Sequence, residues 1–283
     1  MVDAVAGQGY RLQEPLELLD GKMIRSKLAE QVSARLAALE IMSVVDSTNT
    51  QLQSMPVDQQ AGRVVMAECQ TAGRGRRGQA WVSPYGRNIY LSLGWAFESG
   101  AGELACLPLL VALSACDALT SAGLQGHGIK WPNDLLHDSR KLGGCLVEVQ
   151  GDVSGPCHAV LGVGLNVRMA QDSPGTGDID QPWTDIASQA PAVSRNTLAA
   201  NLLDHLVVNL EEFASDGFEP FMARWQSVDV LQGHAVELRH AGRKVTGISR
   251  GISGRGALLI QDGQGVGEYT AGEISTIRKG IQD

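Results

Sequence analysis

The sequence lacks the features that would place the protein in a membrane or in an oxidising compartment. No run of 18 apolar residues occurs in the 283-residue chain, so no transmembrane helix is expected. The first residues do not form a basic segment followed by an apolar core, so secretion is not expected. Five cysteines are widely spaced, and none forms a Cys-x-x-Cys pair. We interpret them as reduced thiols of a cytoplasmic protein, used as small buried side chains.

Signatures of several common chemistries are also missing. The six histidines show no metal-ligand spacing, and no metal ligands are predicted among the side chains. Neither the Gly-x-Ser-x-Gly elbow nor the Gly-x-x-x-x-Gly-Lys-Ser/Thr loop occurs. The sequence therefore lacks the motifs for acyl transfer by an elbow serine and for phosphate cleavage at a P-loop.

The balance of charge argues against a polyanionic partner. The chain holds 31 acidic and 23 basic residues, for a net charge of -8. The first 40 residues contain five basic and six acidic residues, without the basic stripe typical of nucleic-acid binding. Positive charge is concentrated between residues 74 and 77, which favours a small anionic ligand.

The pattern of apolar residues predicts an α+β fold. Helices are expected over 23–39, 104–122 and 195–213, the last with Ser194 as its N-cap. Strands are expected at 63–69, 88–95, 127–131, 143–149 and 158–167. Because strands and helices do not alternate strictly, we predict a mixed sheet with helices packed on one face. Residues 170–192 have little periodicity and predict a long loop, a kind of segment that is often functional.

The pattern of apolar residues changes near residue 230, which predicts a second domain. Short apolar alternations separated by glycine-containing turns are typical of a small β barrel or sandwich. We therefore divide the chain into an N-terminal linker and helix (1–42), a larger domain (43–228) and a C-terminal β domain (229–283).

A glycine–arginine segment follows the strand predicted at 63–69. In Gly73-Arg74-Gly75-Arg76-Arg77-Gly78, glycines allow close backbone approach and arginines supply forked cationic donors for phosphate or carboxylate. The letters also match a dinucleotide-binding pattern, but Pro84 and Gly86 follow where that pattern needs a helix. A surface loop without a ligand is the other alternative, although three clustered arginines repel one another. We predict an anion-binding loop.

A second cluster is Lys130-Trp131-Pro132-Asn133-Asp134, at the end of a predicted strand. It combines a cation, an aromatic ring and two polar side chains, and Arg140-Lys141 precede the next predicted strand. A short turn between these two strands would bring Lys130 and Lys141 onto neighbouring backbone. The alternative is an ordinary turn with a solvated basic pair.

Two further segments carry weaker signals. Ser47-Thr48-Asn49 offers two hydroxyls and an amide, which suit a neutral polar ring such as a urea. The same residue types are also typical of a helix N-cap. Gly162-Val163-Gly164-Leu165-Asn166 allows close backbone approach and ends in a polar side chain, although a plain buried strand also explains it.

Taken in order, these segments resemble the motifs of the biotin protein ligase family. Several motifs in one order are far more specific than any single motif. The resemblance runs from residue 7 to about residue 280 and includes Gly272-Glu273-Ile274-Ser275 near the end. It implies a catalytic domain like that of class II synthetases and a C-terminal SH3-like barrel. The motifs that carry it are 46–49, 70–78, 130–134, 140–144 and 162–166.

The resemblance implies an ATP-dependent ligase that forms biotinyl-5'-AMP from biotin and ATP, with Mg2+. It would then transfer biotin to a lysine of the biotin carboxyl carrier protein of acetyl-CoA carboxylase. Lys141 and Arg76 would act in catalysis. The implied biotin contacts are Ser47, Thr48, Asn49, Gln70, Arg74, Gly75, Arg76 and Lys141. The implied nucleotide contacts are Arg74, Lys130, Trp131, Asn133, Asp134 and Asn166.

Alternatives to this function stay open at the level of sequence. A lipoate–protein ligase shares the fold but is expected to lack this combination of motifs. A biotin-responsive transcriptional repressor is the alternative of another class, because residues 7–16 resemble the end of a winged-helix domain and its linker. Six residues before them cannot hold a helix-turn-helix, so DNA binding by this chain is not expected. A third alternative is a module that binds the ligand without turnover. Separately, the resemblance suggests a homodimer, in which strand edges would pair.

Overall fold

The computed structural model describes residues 2–5, 9–12, 16–152, 154–169, 173 and 175–276. At the start of the chain, β1 (Val2–Val5) and β2 (Gly9–Leu12) form an antiparallel hairpin. The segment 7–16, which resembles a winged-helix linker, lies partly outside the described residues, and so does the end of the predicted C-terminal domain.

A seven-stranded mixed sheet forms the larger unit and confirms the predicted α+β class. Its strand order is β3-β4-β5-β9-β8-β7-β6. The first pair, β3 and β4, is parallel, and the other neighbours are antiparallel. The strands are β3 (Ala38–Val45), β4 (Arg63–Gln70), β5 (Ile89–Phe97), β6 (His127–Lys130), β7 (Asp134–His137), β8 (Arg140–Gly151) and β9 (Cys157–Leu165).

Two long helices, α4 (Leu107–Ser121) and α5 (Arg195–Asp216), pack on one face of this sheet. Alternate side chains of a strand point to opposite faces. Accordingly Val64 of β4 lies in the main core with α4 and α5, whereas Val65 packs with Leu52 of the short helix α3 (Thr48–Gln53). The expected packing of helices on one face thus holds for the long helices, and α3 covers part of the other face.

The single helix predicted over residues 23–39 is wrong. The chain forms α1 (Gly21–Lys27), α2 (Glu30–Arg35) and then β3. Leu28 is extended between the helices, and the backbone N–H of Ala29 donates to Asp204 of α5 over 3.1 Å. The apolar residues keep a helical spacing across the break because both short helices bury side chains against α5. No glycine or proline marks the break, since a partner distant in sequence stabilises it.

The C-terminal residues form a five-stranded antiparallel sheet, which confirms the predicted β domain. It follows α6 (Met222–Val228) and has the order β13-β12-β11-β10-β14. The predicted boundary at 228/229 falls at the end of α6, and the one at 42/43 falls inside β3. No helix within the described ranges is long and apolar enough to cross a bilayer. The strands are β10 (Ala235–His240), β11 (Arg243–Ile252), β12 (Leu258–Asp262), β13 (Gly265–Tyr269) and β14 (Glu273–Thr276).

A buried ion pair fastens α5 to the sheet. Arg195 Nη2 lies 2.8 Å from Glu68 Oε2, and both side chains are at most 5% exposed. The guanidinium also donates to the carbonyl of Asn88, while the other Glu68 oxygen accepts the backbone N–H of Leu19 over 2.6 Å. Ser194 caps the helix as predicted, its hydroxyl accepting from the N–H of Thr197. The pair therefore joins the N-terminal segment, β4 and α5.

We expect Arg195→Ala to lower the free energy of unfolding by about 3–5 kcal/mol, because it leaves the Glu68 carboxylate buried without its partner. Urea denaturation followed by circular dichroism measures the change. The control is Arg35→Ala, which removes an ion pair between two exposed side chains, Arg35 and Glu211. Its expected cost is at most about 1 kcal/mol. Equal losses in the two variants would contradict the role given to the buried pair.

Candidate active site

A cavity of about 710 Å³ lies where the ends of several strands, the glycine–arginine segment and the C-terminal domain meet. Every site residue predicted from the sequence lines it, although these residues come from five separate segments of the chain. They are Ser47, Thr48, Asn49, Gln70, Arg74, Gly75, Arg76, Lys130, Trp131, Asn133, Asp134, Lys141 and Asn166.

One end of the cavity is polar and uncharged. Thr48 donates its backbone N–H to Gln70 Oε1 over 2.9 Å, and its hydroxyl lies 3.2 Å from the same oxygen. Helix α3 does begin at this point, but Ser47 makes no capping hydrogen bond through its side chain. The segment therefore starts a helix, with Ser47 at the N-cap position, and also lines the cavity.

The glycine–arginine segment folds as a tight hairpin and does not open an α-helix, so the dinucleotide-binding interpretation is wrong. The N–H of Trp81 donates to the carbonyl of Gly73 over 2.8 Å, and that of Gly75 to the carbonyl of Gln79 over 2.7 Å. A single 3-10 turn spans Arg76–Gly78, in which Arg77 has a φ of 55°.

Each arginine of this hairpin meets a different acceptor. Arg74 Nη2 lies 3.5 Å from the Glu148 carboxylate, and Arg77 Nη1 lies 2.8 Å from Glu273 of the C-terminal domain. Arg76 donates to Asn133 Oδ1 over 3.2 Å. Burial lowers the pKa of Arg76, and Arg77 adds to this effect, but a guanidinium remains charged at neutral pH.

The predicted hairpin between the two basic strands is wrong, because an additional strand, β7, lies between them. Its first residue, Asp134, bridges the two lysines: Lys141 Nζ is 2.8 Å from Oδ1, and Lys130 Nζ is 3.5 Å from Oδ2. The lysines are thus brought together through a carboxylate and not through adjacent backbone. The segment was interpreted as a turn because Pro132 and Asn133 precede β7 and Asp138 and Ser139 follow it, and these residue types are typical of turns.

An aromatic ring that the sequence analysis did not assign completes this wall. Lys141 Nζ lies 5.6 Å from the ring centroid of Trp81, close enough for a cation–π contact. The ring packs on bare backbone at Gly164, where a Cβ would come within 2.7 Å of it. Gly164 is therefore needed for the position of Trp81. The sequence signal that could have identified Trp81 is its position, three residues after the predicted anion-binding segment.

Three predicted nucleotide contacts are themselves held by the surrounding backbone. Asn166 donates to the carbonyl of Thr184 over 3.1 Å, and Asn133 donates to that of Cys145 over 2.6 Å. The indole N–H of Trp131 donates to Gly256 of the C-terminal domain over 3.1 Å. These side chains therefore shape the wall as well as lining it.

Other lining residues were missed because the tertiary structure alone brings them to the site. Part of the predicted long loop lines the cavity, and Trp183 pairs with Lys141 as an isolated parallel bridge. The C-terminal domain contributes Arg239 and residues 272–275. The resemblance included residues 272–275 but assigned them no role.

Within the described ranges, no group of three or more His, Cys, Asp or Glu side chains could hold a metal ion. Asp134, a carboxylate of the cavity, is engaged by two lysines.

Comparison with protein families gives two matches. Residues 41–166 match the model of the biotin/lipoate A/B protein ligase family. Residues 233–276 match the biotin protein ligase C-terminal domain.

Curated relatives span almost the whole chain. It is 36% identical over 274 residues to the bifunctional ligase/repressor BirA of Escherichia coli, covering 97% of this chain and 83% of that protein. It is 32% identical over 289 residues to the biotin–[acetyl-CoA-carboxylase] ligase of Mycobacterium tuberculosis, covering 95% and 98%. Among solved structures, the biotin protein ligase of Aquifex aeolicus in complex with biotin and ATP matches with a TM-score of 0.73 and 28% identity, covering 86% of this chain and 100% of that one.

We expect Gly162→Ala to destabilise the protein by about 1–3 kcal/mol, because it overpacks a filled site. A Cβ at this position would overlap Asn49 Oδ1, and Asn49 is only 3% exposed. Urea denaturation measures the loss. Gly263→Ala is the matched control, since a Cβ there meets no atom within 4 Å. An unchanged midpoint for Gly162→Ala would show that Asn49 can move aside freely.

Proposed function

Because the chain belongs to the biotin protein ligase family, we propose that it attaches biotin to a carrier protein in two steps. In the first, the carboxylate of biotin attacks the α-phosphate of ATP, and pyrophosphate leaves as biotinyl-5'-AMP forms. In the second, the amine of a carrier lysine attacks the acyl carbon of this anhydride. An amide forms, AMP leaves and the amine loses a proton.

The observation that carries this proposal is the meeting of cations from distant segments in one cavity with an uncharged polar end. Arg76 and Lys141 are 65 positions apart in sequence, yet both line the cavity that Thr48 and Gln70 also line. Such a site suits a ligand that is neutral at one end and acidic at the other. Biotin, with a ureido ring and a carboxylate, has this form.

The polar end would bind the ureido ring. Ser47 and Thr48 supply hydroxyls and Asn49 and Gln70 supply amides, groups that can both donate to a carbonyl and accept from N–H. These residues are buried or nearly so, and a buried polar group left without a partner is costly. The site would therefore discriminate against a ligand that cannot make these hydrogen bonds.

The cationic end would bring two anions together. A carboxylate and a triphosphate repel each other, and charge builds on the α-phosphate in the transition state. Arg76 and Lys141 are placed to offset both effects. Arg74 lies near the start of the hairpin, and Gly75 allows the hairpin backbone to approach the ligand closely. The nucleotide would lie along the wall formed by Lys130, Trp131, Asn133, Asp134 and Asn166. Mg2+ usually keeps several waters and binds through substrate phosphates, so it is expected to enter with ATP.

The anhydride formed in the first step hydrolyses in open water, so the site must exclude water until the carrier arrives. The hairpin at residues 73–81 is the segment suited to this, because few backbone hydrogen bonds hold it. Within the described part of the chain, the exposed ion pair of Arg77 and Glu273 joins its tip to the C-terminal domain. The acceptor in the second step is proposed to be the carrier protein of acetyl-CoA carboxylase.

The alternatives are less well supported. A lipoate ligase does not explain the match of the C-terminal domain or the relatives named for biotin. A repressor is not favoured, because ligation is common to the names of both curated relatives cited above and repression to only one of them. A binding module without turnover does not need cations converging on the acidic end of the ligand.

The proposal is tested by incubating the protein with biotin, MgATP and a carrier domain. We expect release of pyrophosphate and a gain in carrier mass, located on one lysine, equal to biotin less water. Biotin binding without pyrophosphate release would support the binding module, and lipoate transfer in place of biotin transfer would support the lipoate ligase.

We expect Lys141→Ala and Arg76→Ala each to slow pyrophosphate release by about 10²–10³-fold, because each removes a cation worth about 2.7–4 kcal/mol in the transition state. Single-turnover kinetics at saturating biotin and ATP measures this. Arg250→Ala is the control, since this exposed arginine bonds Gln261 on the C-terminal domain. Normal rates in both site variants would show that the roles given to these cations are wrong.

We expect the backbone amides of residues 73–81 to exchange quickly with solvent in the free protein and to become protected when biotin and ATP are present. Ligand anions should draw Arg74 and Arg76 inward and order the hairpin around them. Hydrogen–deuterium exchange with mass spectrometry measures this. Peptides from α4, which is buried in the core, are the internal control and should not change. Equal protection of the hairpin in both states would contradict its role as a cover.

A further inference from the structure

Glu148 lies behind the polar end of the cavity, where no role has been assigned to it. It is on β8, and its carboxylate accepts a hydrogen bond from Asn49 Nδ2 over 2.7 Å. The carbonyl of Leu146 on the same strand also accepts from this nitrogen, over 3.4 Å. The side chain of Glu148 is 27% exposed, so the carboxylate is partly shielded from water.

These two acceptors determine the orientation of the Asn49 amide. An ionised carboxylate and a backbone carbonyl can only accept, so the NH₂ group of Asn49 must face them. Asn49 Oδ1 must then face the other way, towards the buried hydroxyl of Ser92, which lies 2.6 Å from it. Glu148 thus determines, through the Asn49 side chain, that an acceptor faces Ser92.

The same reasoning orders the hydroxyl protons. Ser92 carries a single proton, and Asn49 Oδ1 is an acceptor that needs it. Having given that proton to Asn49, Ser92 Oγ can only accept across its 2.7 Å contact with Thr48 Oγ1. The Thr48 proton then lies between two acceptors, Ser92 Oγ and Gln70 Oε1 at 3.2 Å, and the Thr48 oxygen keeps lone pairs for a donor in the cavity.

Glu148 also lies 3.5 Å from Arg74, but this contact is the weaker of the two. Arg74 is 43% exposed, and an ion pair of that length in contact with water contributes little. The bond to Asn49, which is 3% exposed, is shorter and better shielded. The effect of Glu148 on the polar end should therefore exceed its effect on the hairpin.

We propose that Glu148 is a positioning residue for the N–H groups of the biotin ureido ring, acting through Asn49 and Ser92. Its carboxylate keeps the hydroxyls of the polar end oriented as acceptors. This inference rests on the proposed function, because it takes biotin as the ligand. A neutral side chain that can also donate would allow the Asn49 amide to turn over and reverse these hydrogen bonds.

The test compares Glu148→Gln, Ser92→Ala and the double variant in pyrophosphate release. Glutamine keeps the size of the side chain but can donate to Asn49. We expect each single variant to raise the KM for biotin about tenfold, with kcat and the KM for ATP changed less than about twofold. Because both variants disturb the same series of hydrogen bonds, the KM for biotin of the double variant should be at most about twice that of the single variant with the higher KM. Biotin affinity measured by calorimetry without ATP should fall in parallel.

Glu40→Gln is the matched control, since it removes a carboxylate that pairs with Arg63 at the edge of the same sheet. It should leave both KM values unchanged, and urea denaturation should show all variants folded. An unaltered KM for biotin in Glu148→Gln, or an equal rise in the KM for ATP, would overturn the inference. Fully multiplicative effects would also overturn it, because Glu148 would then act independently of Ser92. Failure of the unmodified protein to bind biotin or release pyrophosphate would instead overturn the proposed function.

Discussion

Repulsion between like charges is the constraint on which this site depends. Two unit charges about 4 Å apart repel by about 4 kcal/mol at an effective dielectric constant of 20. The protein nevertheless brings arginines and lysines to one cavity, and an acceptor from a different element meets each of them. Arg74 meets Glu148, Arg77 meets Glu273, and Asp134 holds both lysines. The sheet and the C-terminal domain therefore supply the carboxylates that offset these cations.

The arrangement of these acceptors divides the cavity into two chemically different ends. At the cationic end, charges are offset by carboxylates at the surface of the wall, where an anionic substrate can replace them. At the polar end, hydrogen bonds between Thr48, Gln70, Ser92 and Asn49 are buried in the sheet and leave little freedom. Under the proposed function, the exchangeable end suits phosphate groups that enter and leave in each cycle, and the rigid end suits the part of biotin that stays bound through both steps.

Some features of the fold and the site were predictable from the sequence. The α+β class, the strand β4, the start of α5 at Ser194 and part of the cavity lining were recognised, because each depends on a local pattern or on ordered motifs. The break at Leu28 and the strand β7 were not. The first depends on Asp204 of α5, and the second lies between residues typical of turns. Trp81 and Glu148 were missed because their partners, Gly164 and Asn49, lie far away in the chain.

The amino-acid sequence by itself determined the chemical inventory of this protein: its cations, its hydroxyls and amides, the glycines that allow close approach, and the family they indicate. Only the tertiary structure decided which groups meet. It placed Asp134 between two lysines, set Glu148 behind Asn49 and brought Glu273 of the C-terminal domain to Arg77. The physical reason is that pairing across a sheet and between domains depends on the register of distant strands, which no local pattern of residues encodes.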